Sequence, residues 1–261
     1  MEKRKDTAVL IVSFGSTHLD TLERCIEKTE SAIMENFCED QMYRAFLSPT
    51  VIRRLKEREG IFVDSVPDAL DSIRRDGYQK VLVQPTLLLA GFEYDLLVNQ
   101  LKEHGRMLRI SMGRPLIEQE QDCRVLADII MEENPLQEKE ALVLMGHGTE
   151  HAANAVYPVM QKIFEEKQYH AVITTVESEP AFEDAVEKVK ASGAVKVFLL
   201  PLMFVAGDHA KNDMAGDQED SLLSLMKNAG IVTVPILRGL GESQAVRGLY
   251  ARRAQLAWER F

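Results

Sequence analysis

Two nine-residue stretches, Val83-Gln84-Pro85-Thr86-Leu87-Leu88-Leu89-Ala90-Gly91 and Leu199-Leu200-Pro201-Leu202-Met203-Phe204-Val205-Ala206-Gly207, lie 116 residues apart with Pro, Ala and Gly coincident. The same offset sets Asp68 against Asp184, Ala69 against Ala185 and Gly77 against Gly193. Self-similarity at a fixed offset implies two copies of one folding unit. Within each copy, short apolar runs suited to strands buried on both faces alternate with segments of helical periodicity. Repeated βα units of this length require parallel strands and right-handed crossovers. The expected fold is therefore α/β: two similar three-layer α/β/α lobes with parallel sheets, related by duplication and facing a central cleft.

The first strands of the copies match at a different offset, 133, which sets Phe14-Gly15 against His147-Gly148. The 17-residue difference is about the length of a basic helix expected after Ser48 and running to Glu59. Other expected helices include Leu19 to about Phe37, Gln119 to about Glu133, His151 to about Lys167, and a long one from Asp208 through Asn228. A terminal amphipathic helix covers 243–261. The lobes are expected to divide at 1–137 and 138–261, in the polar stretch Pro135 to Lys139.

A net charge of −10 excludes the broad basic face that nucleic acid or an anionic membrane requires. The densest basic patch, Arg53, Arg54, Lys56 and Arg58, is interrupted by Glu57 and Glu59 and reads as a solvated helix face. Apolar content of 46% is ample for a core. No run approaches the roughly 18 apolar residues of a membrane span. The charged start followed by Ala8 to Val12 reads as a first strand and not a signal peptide. Cys25, Cys38 and Cys123 form neither a disulfide framework nor a CxxC metal site, which suits a reducing cytoplasm. Glycine-rich nucleotide fingerprints and a GxSxG nucleophile turn are both missing, so the chain offers no motif for nucleotide binding or serine hydrolysis.

In parallel sheets chemistry gathers at the carboxyl ends of strands. Three residues occupy such ends in the second copy: His147, flanked by Gly146 and Gly148; Glu177, after the next strand; and His209, at the end of the apolar run 197–207. With Asp208 as N-cap, His209, Asn212 or Asp213, and Asp217 would share one helix face. Two imidazoles and a carboxylate form an open site for a borderline divalent cation such as cobalt, iron, nickel or zinc. At the matched positions the first copy has Phe14 and Glu93, so one copy holds the metal and the other shapes a pocket. His151 is expected to face solvent, His104 to sit in a favourable last helical turn, and His18 and His170 to serve no site.

The segments Val12-Ser13-Phe14-Gly15-Ser16, Ala45-Phe46-Leu47-Ser48, Gln84-Pro85, Gly146-His147-Gly148-Thr149 and Ala206-Gly207-Asp208-His209-Ala210-Lys211-Asn212-Asp213-Met214-Ala215-Gly216-Asp217 give the chain a resemblance to the class II chelatases. Within them it is most similar to the anaerobic sirohydrochlorin cobaltochelatases of cobalamin synthesis, although Leu47 stands where Thr is common. The resemblance implies insertion of Co2+ into sirohydrochlorin with release of two protons, with His147, Glu177 and His209 as metal ligands and catalytic groups. It implies a tetrapyrrole held between the lobes, with Ser13, Phe14, Leu89, Gly91 and Glu93 in the pocket, and a C-terminal helix packed on the first lobe. The metal is a substrate, with Fe2+, Ni2+ and Zn2+ as alternatives to cobalt. No organic cofactor, nucleic acid or membrane is expected, and a homo-oligomer is left open. The rival readings are an iron chelatase for sirohydrochlorin or protoporphyrin, and a carrier of metal or tetrapyrrole that does not turn over.

Overall fold

The computed structural model describes residues 6–38 and 41–261, so the charged start of the chain lies outside the described residues. Two compact units emerge. One takes the described residues up to Glu118 together with Gly241–Phe261; the other is Gln119–Leu240.

In the first unit, β1 (Thr7–Ser13) is fully buried along its length. A helical passage follows: α1 (Leu19–Thr21), a π turn (Leu22–Glu27) and α2 (Lys28–Met34). Next come β2 (Met42–Phe46), α3 (Pro49–Glu59), the two-residue β3 (Asp64–Ser65) and α4 (Val66–Arg75). They are followed by β4 (Lys80–Pro85), α5 (Phe92–His104) and β5 (Arg109–Met112). The sheet order is β3-β2-β1-β4-β5, all parallel.

The second unit opens with α6 (Glu120–Glu133) and β6 (Glu140–Gly146), then a 3-10 turn (Ala152–Ala155) leading into α7 (Val156–Glu166). It continues through β7 (Ala171–Thr175), α8 (Phe182–Ser192), β8 (Lys196–Pro201), a π turn (Ala210–Met214), α9 (Leu222–Asn228) and β9 (Val232–Pro235). Its sheet order, β7-β6-β8-β9, repeats that of β2-β1-β4-β5.

The repeat extends to register. Val12 pairs with Pro85 as Met145 pairs with Pro201, and both offsets seen in the sequence are reproduced. Just beyond, the Thr86 amide donates to Val12 O and the Leu202 amide to Met145 O, each at 2.8 Å. The coincident residues have shared physical causes. Ala69 and Ala185 are buried. Gly77 and Gly193 end helices at φ of 89° and 73°, where a side chain would be strained. Helix α3 and β3 have no counterpart in the second unit. The four cations Arg53, Arg54, Lys56 and Arg58 are exposed.

Several elements differ from the sequence reading. Residues 208–228 do not form one helix: the π turn stops at Met214, Asp217 lies in the bend beyond it, and Ser221 caps a separate helix by accepting from the Ser224 amide at 3.1 Å. Asp208 is the first helical residue and not the N-cap, because the Lys211 amide already bonds to Gly207 O. The first helix stops at Met34 and contains the π turn. The units part at 118/119, ahead of α6, instead of at 137/138. The apolar face of α6 packs beside α7, with Lys167 reaching Asp128 at 2.7 Å.

The last helix, α10 (Gln244–Trp258), belongs to the first unit. Tyr250 is fully buried and donates to Leu87 O at 3.0 Å, Arg253 donates to the carbonyls of Pro115 and Leu116, and Trp258 packs on Phe37 with ring centroids 4.9 Å apart. No helix among the described residues is long and apolar enough to cross a membrane.

Candidate metal centre

Strand β6 delivers His147, and the two glycines around it are there for space. A Cβ at Gly146 would run into the ring of the buried Tyr157. Gly148 has φ of +83°, and a Cβ there would stand 2.6 Å from Ser178 Oγ. The Tyr157 hydroxyl accepts from the Gly148 amide at 3.2 Å. Burial pushes that phenol up, against the opposing effect of the Gly148 and His147 amides, so it stays neutral under the loop. The tight backbone turns His147 outward from an otherwise buried strand.

Glu177 follows β7. Its amide donates to His147 O at 2.8 Å, next to the Val176 amide on Gly146 O at 3.1 Å, so the strand pairing continues past β7 and holds the two residues side by side. His209 comes from the third strand end, in the first helical turn after β8. The His147 and His209 rings meet edge to face at 89°, with centroids 4.7 Å apart. Among the described residues, His147, Glu177 and His209 form the group of histidine, cysteine and carboxylate residues able to share a cation, with ligand atoms all within 4.8 Å of one another. The side chains are 48%, 55% and 36% exposed, so the site is open to a large ligand.

The second contacts set the tautomers. His147 Nδ1 lies 2.9 Å from Gly148 O and His209 Nδ1 lies 2.8 Å from Asp213 Oδ2. Carbonyl and carboxylate oxygens only accept, so each neutral ring carries its hydrogen on Nδ1 and keeps the Nε2 lone pair for a metal. His147 Nδ1 is also 3.5 Å from Glu177 Oε2. The donor set suits a borderline divalent cation with positions left open.

Other sequence candidates separate cleanly. His151 caps the 3-10 turn, accepting from the Ala153 amide at 3.0 Å, and is not part of the cluster. His104 occupies the last turn of α5. In the first unit, Phe14 projects 47% exposed beyond β1, matching His147. The Ser48 amide donates to Phe14 O at 3.2 Å, as Glu177 does to His147, so Ser48 is the counterpart of Glu177. Glu93, the counterpart of His209, is exposed in the first turn of α5; Gly91 is that helix's N-cap. Leu89 is half-buried and bridged to Ile117, whereas Ser13 is buried with its hydroxyl 2.7 Å from Thr86. Sequence reasoning missed Tyr157, for which no local signal exists. It left Asp213 as one of two choices on a helix face.

The sequence matches the family model described as cobalt chelatase (CbiK) over residues 7–259. It is 35% identical over 245 residues to the sirohydrochlorin cobaltochelatase of Salmonella typhimurium strain LT2, with 93% of each chain covered. SirB from Bacillus subtilis with Fe3+ superposes with a TM-score of 0.66 at 15% identity, covering 97% of this chain and 95% of that one. The sirohydrochlorin chelatase SirB from Bacillus subtilis subspecies spizizenii in complex with cobalt superposes at 0.63 and 14% identity, covering 98% and 96%. The two structural likenesses establish a shared chelatase-like fold. The match across nearly the whole chain and the 35% identity place the chain in the CbiK cobalt chelatase family.

Proposed function

We propose that this chain is a sirohydrochlorin cobaltochelatase, a lyase of cobalamin biosynthesis that inserts Co2+ into sirohydrochlorin. The observation carrying the reading is the convergence of His147, Glu177 and His209 on one open face in a CbiK family member. Cobalt and sirohydrochlorin follow the activity of the Salmonella relative, since two imidazoles and a carboxylate do not by themselves choose cobalt over iron.

Two pyrrole N–H protons must leave as the dication enters, so charge balances when Co2+ replaces 2 H+. His147 and His209 hold the incoming metal through Nε2 while neutral, and each becomes free to take a proton once the cation has moved to the ring. Glu177 stabilises the cation before transfer. Phe14, Leu89, Gly91 and Glu93 serve the macrocycle, with Ser13 supporting Phe14 from the core. Cys25, Cys38 and Cys123 form no disulfide, which favours a cytoplasmic setting.

The test is absorbance-monitored insertion of Co2+ and, separately, Fe2+ into sirohydrochlorin at catalytic protein concentrations, with wild type and His209→Ala. Wild type should turn over with cobalt. The variant should lose roughly 10²- to 10⁴-fold in rate while melting and sirohydrochlorin binding persist. Stoichiometric binding without turnover in wild type would favour a carrier, and faster turnover with Fe2+ an iron chelatase.

A further inference from the structure

We propose that Asp213 is a positioning residue of this metal centre, whose carboxylate locks the His209 ring with hydrogen on Nδ1 and Nε2 free for the cation. The inference rests on the chelatase reading for its consequence in turnover, but not for its geometry. Asp213 Oδ2 is 2.8 Å from His209 Nδ1, one helical turn along the same face. Asp213 lies in the π turn Ala210–Met214, and His209 directly precedes that turn.

The duplicated unit supplies the comparison. The offset of 116 residues that sets His209 against Glu93 sets Asp213 against Leu97, and Leu97 is fully buried in the core beneath a regular α-helix. Where no imidazole needs holding, the position one turn on belongs to the core; where His209 is present, it is a partly exposed carboxylate. The two histidines are also held differently. His147 is fixed by the Gly148 carbonyl, which no side-chain substitution removes. His209 depends on a side chain, so its orientation can be tested.

The experiment uses the full chain as wild type, Asp213→Asn and Asp213→Leu, the last copying the first unit. Four quantities are read: the His209 tautomer by 15N NMR without metal, Co2+ affinity without tetrapyrrole, cobalt insertion and the melting transition. Asn keeps an acceptor oxygen, so Asp213→Asn should retain the Nδ1–H tautomer and most Co2+ affinity. Asp213→Leu should give mixed tautomers and lose about 10- to 100-fold in Co2+ affinity and insertion rate, the usual effect of removing a partner behind a metal-binding histidine, with melting near that of wild type. Wild-type tautomer and affinity in Asp213→Leu would overturn the proposal, as would equal losses in both variants accompanied by lower melting temperatures. Tautomer and Co2+ binding need no sirohydrochlorin, so failure of the chelatase reading would show as missing insertion in wild type and leave these two readouts decisive.

Discussion

The amide of Glu177 donates to the carbonyl of His147 at 2.8 Å, so two of the three proposed metal ligands are joined through the main chain and only their side chains are free to differ. Replacing the carboxylate therefore leaves the spacing of the pair intact. Glu177→Gln should keep the melting transition of wild type and weaken Co2+ binding by at least the roughly tenfold that follows loss of a more distant partner. Isothermal titration with Co2+ checks this, and unchanged affinity would remove Glu177 from the ligand set.

Gly146 is a packing requirement. The Tyr157 ring against it is buried and its hydroxyl is tied to the next turn of the loop, so it has little room to retreat. Gly146→Ala should cost about 1–3 kcal/mol, the usual range for overpacking a dense core, and slow insertion by displacing His147. Gly207→Ala is the control: its nearest neighbour would be Val205 Cγ2 at 3.9 Å, an ordinary contact, and its stability should match wild type. Urea unfolding of both variants measures the difference.

Phe14 is a large apolar ring left half in water at the carboxyl end of β1. If the macrocycle covers it, Phe14→Ala should raise KM for sirohydrochlorin about tenfold, equivalent to losing roughly 1.4 kcal/mol of apolar contact. kcat should move little, because the proposed metal ligands are untouched. Steady-state kinetics at saturating Co2+ separates the two, and an unchanged KM would take Phe14 out of the pocket.

Burial, reinforced by Asp122 and Glu120, pushes the Cys123 thiol up to about 11. At pH 8 only about one molecule in a thousand then carries the reactive thiolate. Cys25 is fully buried, whereas Cys38 is partly exposed. Thiol labelling of the native protein at pH 8 should therefore mark Cys38 first, with labelling of Cys123 rising as pH climbs toward 11. The folded chain holds this proton more tightly than the unfolded chain, so Cys123 subtracts stability as pH rises through 9 to 11. Peptide mass spectrometry reads the sites; rapid labelling of Cys123 at pH 8 would contradict its burial.

What could be read from the sequence was what physics repeats. Pro85 and Pro201 close equivalent strand pairs, and Gly77 and Gly193 turn with positive φ, so the duplication survives in residues that local geometry constrains. His147, Glu177 and His209 were legible for a similar reason: each lies in the connection beyond the carboxyl end of a strand, and parallel strands bring those ends together. What escaped depends on distant neighbours. Periodicity ran across Gly216 and Asp217 because it does not register a bend, although Ser221 was a visible cap for the next helix. The apolar face of α6 announces burial without saying which sheet it covers, so the boundary was placed after that helix instead of before it. Tyr157 supports Gly146 from eleven positions away, and nothing local to either predicts the meeting.

The division of the chain has a consequence for synthesis. The unit that carries His147, Glu177 and His209 is one unbroken stretch, Gln119–Leu240, whereas the first unit needs Gly241–Phe261 to supply Tyr250, Arg253 and Trp258. Although it is second in sequence, that unit is the first whose residues have all been translated. On the ribosome, then, the unit begun earliest waits longer, its core left without α10 until Gly241–Phe261 emerge.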